Sequence, residues 1–323
     1  TLFSGATASA IESADALRTL TLTVNNVSDG ASEVLNIDGS QVLLTHGTVV
    51  ASTATNGFSA TVSVSGGVAT VTLDKSAGVS ATTLQTLVNG ITYRNLSDNP
   101  TAGSRNVTLT SLRDTGGVAN GGVDTTALAL ASTVTVVAVN DAPVLTTSGG
   151  SAAFVAGDNA PSTPVAIDSA LTVSDVDNLT LNSATVTIGS GFSAGQDQLN
   201  FVANPGAYGN ITASYNASTG VMTLSSVGST ATTAQWQAAL RSITYSNSAV
   251  TPNSATRTIA FVVSDGTDSS TSSTKTVTVT PVDQTPIVSA GAGMATFTEG
   301  DSPTAVAPAL TVSDLDNSTL ASA

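Results

Sequence analysis

The chain has 323 residues, of which 41 % are hydrophobic, 4 % aromatic and 9 % charged, and it contains no cysteine. Acidic residues outnumber basic ones by 22 to 8, which argues against nucleic acid as a partner, because phosphate binding needs clustered lysine and arginine. The lack of cysteine excludes disulfides and thiolate metal sites, and no apolar run is long enough for a membrane-spanning helix. A weakly charged surface rich in Thr, Ser, Asn and Gly is common outside the cell, so we expect a secreted chain.

Strands are predicted along the whole chain by apolar residues that alternate with Thr or Ser at period two. Such alternation buries one face of a sheet and exposes the other, as in antiparallel sheets. Many short strands without alternating helices predict an all-β fold of antiparallel two-sheet sandwiches. In chain order the segments are Thr19–Val24, Ala60–Gly66, Val68–Leu73, Arg105–Leu112, Thr133–Val137, Arg257–Val263 and Lys275–Thr280.

One short helix is predicted in each repeat unit, and two are identified from apolar residues at i, i+3, i+4 and i+7. Each helix leads into a strand and is expected to close one end of a sandwich. Thr232 or Thr233 is expected to cap the second helix, and Trp236 is expected to be a core residue. The apolar positions are Leu84, Leu87, Val88 and Ile91 in the first helix, and Trp236, Ala239, Leu240 and Ile243 in the second.

Internal repeats organise the chain. Val139–Leu145 recurs at Val282–Val288, Leu171–Asn178 at Leu310–Asn317, and Ile91–Asn95 at Ile243–Asn247. Unequal spacings between these pairs indicate loop insertions, which tandem sandwiches tolerate. The predicted units are repeat 1 (residues 1–139), repeat 2 (143–282) and repeat 3 (286–323).

The two outer repeats are incomplete. Repeat 3 holds only the opening strands, and repeat 1 lacks its N-terminal strand, since Ala6–Ser9 matches Leu171–Ser174. Two explanations stay open. The sequence is cut from a longer chain, or the first strand of repeat 3 completes repeat 1 of a neighbouring copy by strand addition.

Acidic and amide side chains are concentrated near the predicted repeat boundaries. In an extended D-x-D segment both carboxylates point to the same side of the chain, which suits calcium, a cation that takes roughly six to eight oxygen ligands. The competing interpretation is that these residues form turns by bonding their own backbone. Asp265 and Asp114 are further candidates near the domain ends. The principal candidates are Asn140 and Asp141 in the first linker, Asp175, Asp177 and Asn178 in repeat 2, Asp283 in the second linker, and Asp314, Asp316 and Asn317 in repeat 3.

The repeats differ at these positions. Gln284 stands where the first linker has Asp141, so the second junction is expected to bind calcium more weakly or with other ligands. In repeat 1 the D-x-D-N pattern is absent, and Glu12 alone stands where repeat 2 has Asp177. A junction preceding repeat 1 is therefore expected to lack metal.

Other side chains give little indication of chemistry. Arg105 and Arg257 begin corresponding strands, and Tyr93 and Tyr245 close corresponding ones, so we expect all four to anchor the conformation. The single histidine, His46, lacks the Ser or Cys elbow and the acid that a catalytic triad needs. We therefore expect no enzymatic activity.

Five segments together resemble the cadherin-like and immunoglobulin-like tandem repeats of giant bacterial (RTX-type) surface adhesins. The resemblance covers nearly the whole chain and implies Greek-key sandwiches, secretion, long arrays and calcium at domain junctions. It also implies that Glu299 is a first-strand calcium ligand, which repeat 2 lacks because Ala156 occupies that position. The segments are Val139–Pro143, Leu171–Asn178, Tyr215–Ser226, Gln237–Asn247 and Arg257–Gly266.

The predicted function is a calcium-stiffened extracellular stalk that spaces a binding domain from the cell surface. Its expected partners are neighbouring repeats and other copies of itself, without membrane insertion. The alternative is a self-assembling filament or sheath subunit built by edge pairing or strand complementation. A stalk is expected to occur with a retention domain and a terminal binding domain, whereas a filament subunit is expected to be a short chain with incomplete end domains.

Overall fold

The structure is a computed structural model that describes residues 1–9 and 15–322, apart from the side chain of Asn120. These residues form two compact units, Thr1–Val139 and Asn140–Ala323. Glu12, which the sequence aligns with Asp177, lies outside the described residues. The division of the second unit into repeats 2 and 3 stays a prediction.

The described part of the first unit is almost entirely β. Its six-stranded sheet has the order β4-β5-β6-β1-β8-β9 and its three-stranded sheet the order β3-β2-β7. All pairings in both sheets are antiparallel. The elements are β1 (Leu17–Asn25), β2 (Glu33–Ile37), β3 (Ser40–Leu43), β4 (Val49–Val50), β5 (Ser59–Ser65), β6 (Val68–Val79), helix α1 (Ala81–Gly90), β7 (Thr92–Asn95), β8 (Gly103–Asp114) and β9 (Thr125–Val136), with 3-10 turns at Gly30–Ser32 and Ala119–Gly121.

The core of the first unit lies between these two sheets. In β1, Leu20, Leu22 and Val24 are buried while the intervening threonines are partly exposed. Leu35 and Ile37 of β2 face them from the smaller sheet and are fully buried. Period-two alternation therefore produces the sandwich that the sequence predicts.

The second unit repeats this arrangement with additions. Its six-stranded sheet has the order β11-β20-β19-β14-β17-β16, and the opposing sheet the order β12-β18-β15. The elements are β10 (Val144–Thr146), β11 (Ser151–Val155), β12 (Val165–Ala166), β13 (Thr172–Ser174), β14 (Ser183–Ile188), β15 (Asp197–Asn200), α2 (Pro205–Tyr208), β16 (Ile211–Asn216), β17 (Val221–Ser226), a 3-10 turn (Val227–Ser229), α3 (Thr233–Arg241), β18 (Thr244–Asn247), β19 (Arg257–Ser264), β20 (Ser273–Thr280), β21 (Ile287–Ser289) and β22 (Thr311–Ser313).

One pairing in the second unit is parallel. Strand β11 lies beside β20 in parallel register, with Phe154 opposite Val279. Phe154 is fully buried and packs edge-on against Tyr245, with ring centroids 5.2 Å apart. Among the described residues of the first unit, β9 is an edge strand, whereas β20 is covered. Strands β10 and β13 form one small antiparallel sheet, and β21 and β22 another.

The all-β fold and both predicted helices are confirmed, and every predicted strand segment overlaps an observed strand. Thr232 caps α3 in a capping box with Gln235, because its hydroxyl accepts the Gln235 N–H. Trp236 is fully buried and donates its indole N–H to the Leu181 carbonyl at 3.0 Å, as a core residue should. The four-residue helix α2 is an addition to the predicted elements.

A buried arginine connects the two sheets in each unit. Arg105 of β8 bonds both carboxylate oxygens of Glu33, at 3.0 and 3.1 Å. Arg257 of β19 likewise bonds both oxygens of Asp197, at 3.1 and 3.2 Å. All four side chains are almost completely buried. The predicted anchoring role of the arginines therefore rests on buried ion pairs.

The tyrosines that close the corresponding strands also bond the carboxylates of these buried ion pairs. The Tyr93 hydroxyl donates to Glu33 at 2.9 Å, and the Tyr245 hydroxyl donates to Asp197. Burial, followed by the adjacent carboxylate, raises the pKa of Tyr93 to about 12.

Among the residues that the structure describes, no helix is both long and apolar enough to span a membrane.

Candidate metal-binding clusters

The D-x-D-N loop of repeat 2 follows strand β13 and is shaped by its first aspartate. Asp175 Oδ1 accepts the backbone N–H groups of Asp177 and Asn178, at 3.1 and 2.8 Å. This is the turn that the competing interpretation predicts. It uses only one carboxylate oxygen, so the turn and a metal site are compatible.

The first linker meets this loop directly. Asp177 Oδ2 accepts the backbone N–H of Asp141 at 3.1 Å, and Asn178 donates its side-chain amide to Asn140 Oδ1 at 3.0 Å. The Asp141 side chain itself is exposed. The structure thus brings both predicted linker residues to the predicted loop of repeat 2.

Two further carboxylates come from the turn between β19 and β20. Asn140 Nδ2 donates to Asp265 Oδ2 at 2.9 Å and to Asp268 Oδ2 at 2.8 Å. Asp265 was a secondary candidate in the sequence, and Asp268 was missed, although its place three residues after Asp265 in a D-G-T-D turn was a usable signal. We call the following set the first cluster: Asn140, Asp141, Asp175, Asp177, Asn178, Asp265 and Asp268.

The second carboxylate oxygen of Asp175 differs from the other oxygens of the first cluster. Asp175 Oδ2 is buried and makes no hydrogen bond with any described residue. Burial, together with the neighbouring Asp177 carboxylate, raises the pKa of Asp175. The pKa of Asp177 is lowered, chiefly by the backbone N–H of Asp141 that it accepts. A buried, unpaired carboxylate oxygen is costly, and a bound cation would satisfy it.

The donor set of the first cluster fits a hard cation. Its side chains offer carboxylate and amide oxygens, which calcium prefers, and no nitrogen or sulfur ligand. Within the described ranges, no group of three or more Asp, Glu or His side chains converges closely enough to form a metal site unaided. Coordination here would therefore also need amide oxygens, backbone carbonyls or water.

A second cluster, formed by Asp283, Asp314, Asp316 and Asn317, reproduces the same contacts. Asp314 Oδ1 accepts the N–H groups of Asp316 and Asn317, at 3.1 and 2.9 Å. Asn317 donates to Asp283 Oδ1 at 3.2 Å. Burial and the adjacent Asp314 raise the pKa of Asp316, whereas the Asn317 N–H lowers the pKa of Asp314.

Two predicted candidates lie apart from both clusters. Glu299 is exposed and makes no hydrogen bond or ion pair with other described residues, so its role as a ligand stays a prediction. Asp114 ends β8 and accepts the backbone N–H of Gly116 at 2.9 Å, which is a turn contact within the first unit.

One curated protein and several solved structures resemble this chain to a limited extent. No family model matches it. Halomucin of Haloquadratum walsbyi is 36 % identical over 151 residues, which are 44 % of this chain and 2 % of halomucin. The match therefore spans only a small fraction of that relative's length.

Solved structures with low similarity to this chain include two from surface or ectodomain proteins. The C-terminal domain of the Streptococcus pyogenes antigen I/II-family protein AspA is 12 % identical, covers 80 % of this chain and 84 % of its own, and has a TM-score of 0.23. The human desmocollin-1 ectodomain is 11 % identical, covers 80 % of this chain and 36 % of its own, and also has a TM-score of 0.23.

Proposed function

We propose that this chain belongs to the extracellular repeat region of a large microbial surface adhesin and acts as a stalk stiffened by calcium. The observation that carries the proposal is the unpaired Asp175 Oδ2, buried where the linker meets the loops of repeat 2. The match to a small part of halomucin supports the view that such repeats belong to very long chains. The low charge and the tandem sandwiches are consistent with a spacer.

Calcium would act on the linker through charge. Without a cation, the carboxylates of Asp175, Asp177, Asp265 and Asp268 repel one another across a small volume. Calcium would neutralise them and take oxygens from several of them, and Asn140 would turn its amide oxygen inward to join. Because Asn140 belongs to the linker, binding would fix the linker on repeat 2.

The proposal is tested by titrating calcium into the whole chain by calorimetry. We expect binding in the range of extracellular modules, roughly 10⁻⁴ to 10⁻³ M. The variants Asp175→Asn and Asp268→Asn should weaken it, and the exposed control Asp98→Asn should not. Undiminished binding in both cluster variants, or no binding at all, would rule out the first cluster as the site.

Small-angle scattering separates the stalk from the filament alternative. For a stalk, millimolar calcium should increase the maximum dimension at constant mass, and a chelator should reverse the change. A mass that grows with protein concentration, and dimensions that ignore calcium, would favour a filament built by edge pairing or strand complementation.

A further inference from the structure

The second linker contains a buried glutamine where the first has an exposed aspartate. Gln284 is 2 % exposed, whereas the corresponding Asp141 points to solvent. A neutral amide buried at this position needs both donors and its acceptor satisfied within the protein. The contacts of Gln284 therefore show what holds this linker.

Every polar group of the Gln284 side chain is bonded. Its Oε1 accepts the backbone N–H of Asn159 at 2.7 Å. Its Nε2 donates to the carbonyls of Gly157 and Val282, at 3.0 and 2.8 Å. Gly157 and Asn159 lie in the loop that follows β11, so the side chain ties the linker to repeat 2.

The next linker residue adds three bonds to the same loop. Thr285 donates its backbone N–H and its hydroxyl to the Asp158 carboxylate, at 2.8 and 2.6 Å. Asn159 Nδ2 donates in return to the Thr285 carbonyl at 2.7 Å. The two Thr285 bonds lower the pKa of Asp158, so the acceptor stays ionised near neutral pH.

The linker is also bonded on its other side. The backbone N–H of Gln284 donates to Asp316 Oδ2 at 3.1 Å. Gln284 thus contacts the 157–159 loop through its side chain and the second cluster through its backbone. The side-chain contacts involve no pair of opposed carboxylates.

We infer that the 157–159 loop is a docking surface for the second linker that works without a metal ion. The bonds to this loop join a neutral amide, backbone groups and one exposed carboxylate that accepts two donors, so they bring no two carboxylates together. In the first cluster, by contrast, several carboxylates lie together, and Asp175 Oδ2 has no hydrogen-bond partner among the residues that the structure describes. The chain then has two kinds of joint: removing calcium loosens the first linker and leaves the second attached to repeat 2.

Hydrogen exchange measured by mass spectrometry on the whole chain tests this, in calcium and in chelator. Exchange of the amides of Asn159 and Thr285 should change less than about twofold on chelation, whereas exchange at Asp141, Asp177 and Asn178 should rise at least about tenfold. Equal loss of protection at both linkers would overturn the inference.

Variants test the role of Gln284 itself. Gln284→Ala should raise exchange at residues 157–159 and 285 at least about tenfold in either buffer, and Thr285→Val should do so more weakly. Gln196→Ala removes an exposed glutamine side chain of the same unit and should have no effect. Unchanged exchange in Gln284→Ala would refute the docking role.

The contrast between the two linkers rests on the proposed function, whereas the docking of the second linker does not depend on calcium binding at the first cluster. If calcium fails to change exchange at Asp141, Asp177 and Asn178, the proposed function fails. The effect of Gln284→Ala would still decide whether the second linker is held by hydrogen bonds. Protected amides in β14 and β19 would show that the variant remains folded.

Discussion

The buried arginine of the first unit and that of the second occupy corresponding strands but are neutralised differently. Arg105 contacts Glu33 and also Asp29, whose Oδ2 lies 3.4 Å from Nη2. Arg257 has Asp197 as its carboxylate, and its Nη1 donates to the Asn253 carbonyl at 2.8 Å. One guanidinium therefore faces two acids, and the other faces one acid and backbone carbonyls. The two units thus keep the buried arginine but differ in how much stability they should lose when one carboxylate is removed.

The largest expected effect comes from removing the carboxylate that pairs with Arg257. Asp197→Ala leaves a fully buried guanidinium without its counter-ion and should reduce the free energy of unfolding by about 3–5 kcal/mol. Glu33→Ala should cost less, because Asp29 remains beside Arg105. Hydrogen exchange in β14 and in β1 reports the two units separately, and Trp236 fluorescence provides a second probe of the second unit.

The exposed-acid variant Asp98→Ala serves as the control and should leave both units unchanged. Equal losses for Asp197→Ala and Glu33→Ala would mean that Asp29 does not compensate for Glu33. The comparison of the two units would then fail.

The tyrosines that bond the carboxylates of these buried ion pairs should make stability depend on high pH. In the unfolded chain a tyrosine loses its proton near pH 10, whereas the pKa of Tyr93 is raised to about 12 in the fold. The folded state thus binds the proton more tightly, so the contribution is complete below pH 10 and is lost as the pH rises towards 12. In Tyr93→Phe, the stability of the first unit, measured by amide exchange in β1, should no longer fall in this way as the pH rises.

The substitution Tyr245→Phe tests the corresponding tyrosine of the second unit. The pKa of Tyr245 is also raised, first by burial and then by its bond to Asp197. The stability of the second unit should therefore also fall as the pH rises above 10. A second unit whose alkaline profile is unaltered by Tyr245→Phe would show that this hydroxyl is not the responsible group.

A smaller effect is expected at Asp175, where a substitution should stabilise the protein. Its raised pKa means that the folded state favours the protonated acid, so its stabilising contribution is present at low pH and is lost as the pH rises through the folded pKa. Near neutral pH without calcium, Asp175→Asn should therefore stabilise the second unit, by about 1 kcal/mol. The same variant should lose the stabilisation that calcium gives the parent chain, as thermal unfolding in the two buffers would reveal. A destabilised Asp175→Asn without calcium would contradict this reading of the unpaired oxygen.

The smallest expected difference concerns the two helices. Ser80 caps α1 with its hydroxyl alone, whereas Thr232 and Gln235 form a capping box on α3. Ser80→Ala and Thr232→Ala should each cost about 1 kcal/mol. Gln235→Ala should lower the free energy of unfolding slightly more than the exposed control Gln196→Ala does. Denaturant unfolding measures the free energy for all of these variants. A loss in Gln235→Ala no larger than in Gln196→Ala would show that the box adds nothing.

Local patterns predicted most of this fold, since strand alternation and helical spacing depend on near neighbours in sequence. Trp236 and the Thr232 cap were predictable for that reason. The parallel position of β11 was not, because a five-residue strand with two alanines gives a weak signal and its partner β20 lies far away in the sequence. Helix α2 was too short to show a period.

The candidate site was predictable where acids recur at fixed spacing, as in the two D-x-D-N loops. Single acids were harder to interpret. Glu33 and Asp197 look like ordinary solvent-facing strand residues, and only the fold places Arg105 and Arg257 over them. The burial of Gln284 was equally hidden, because a substitution of Gln for Asp in a linker suggests a weaker metal site rather than a new set of hydrogen bonds.

The parallel pairing of β11 and β20 has a mechanical consequence. Strand β11 lies near the entry of the chain into repeat 2, and β20 leads to its exit. A pull on the two ends draws these strands in opposite directions along their length, so the bonds between Ser151–Val155 and β20 are loaded together in shear. An antiparallel hairpin pulled from its open end would instead lose its bonds one at a time. The β11–β20 pairing should therefore resist unfolding when tension is applied along the chain.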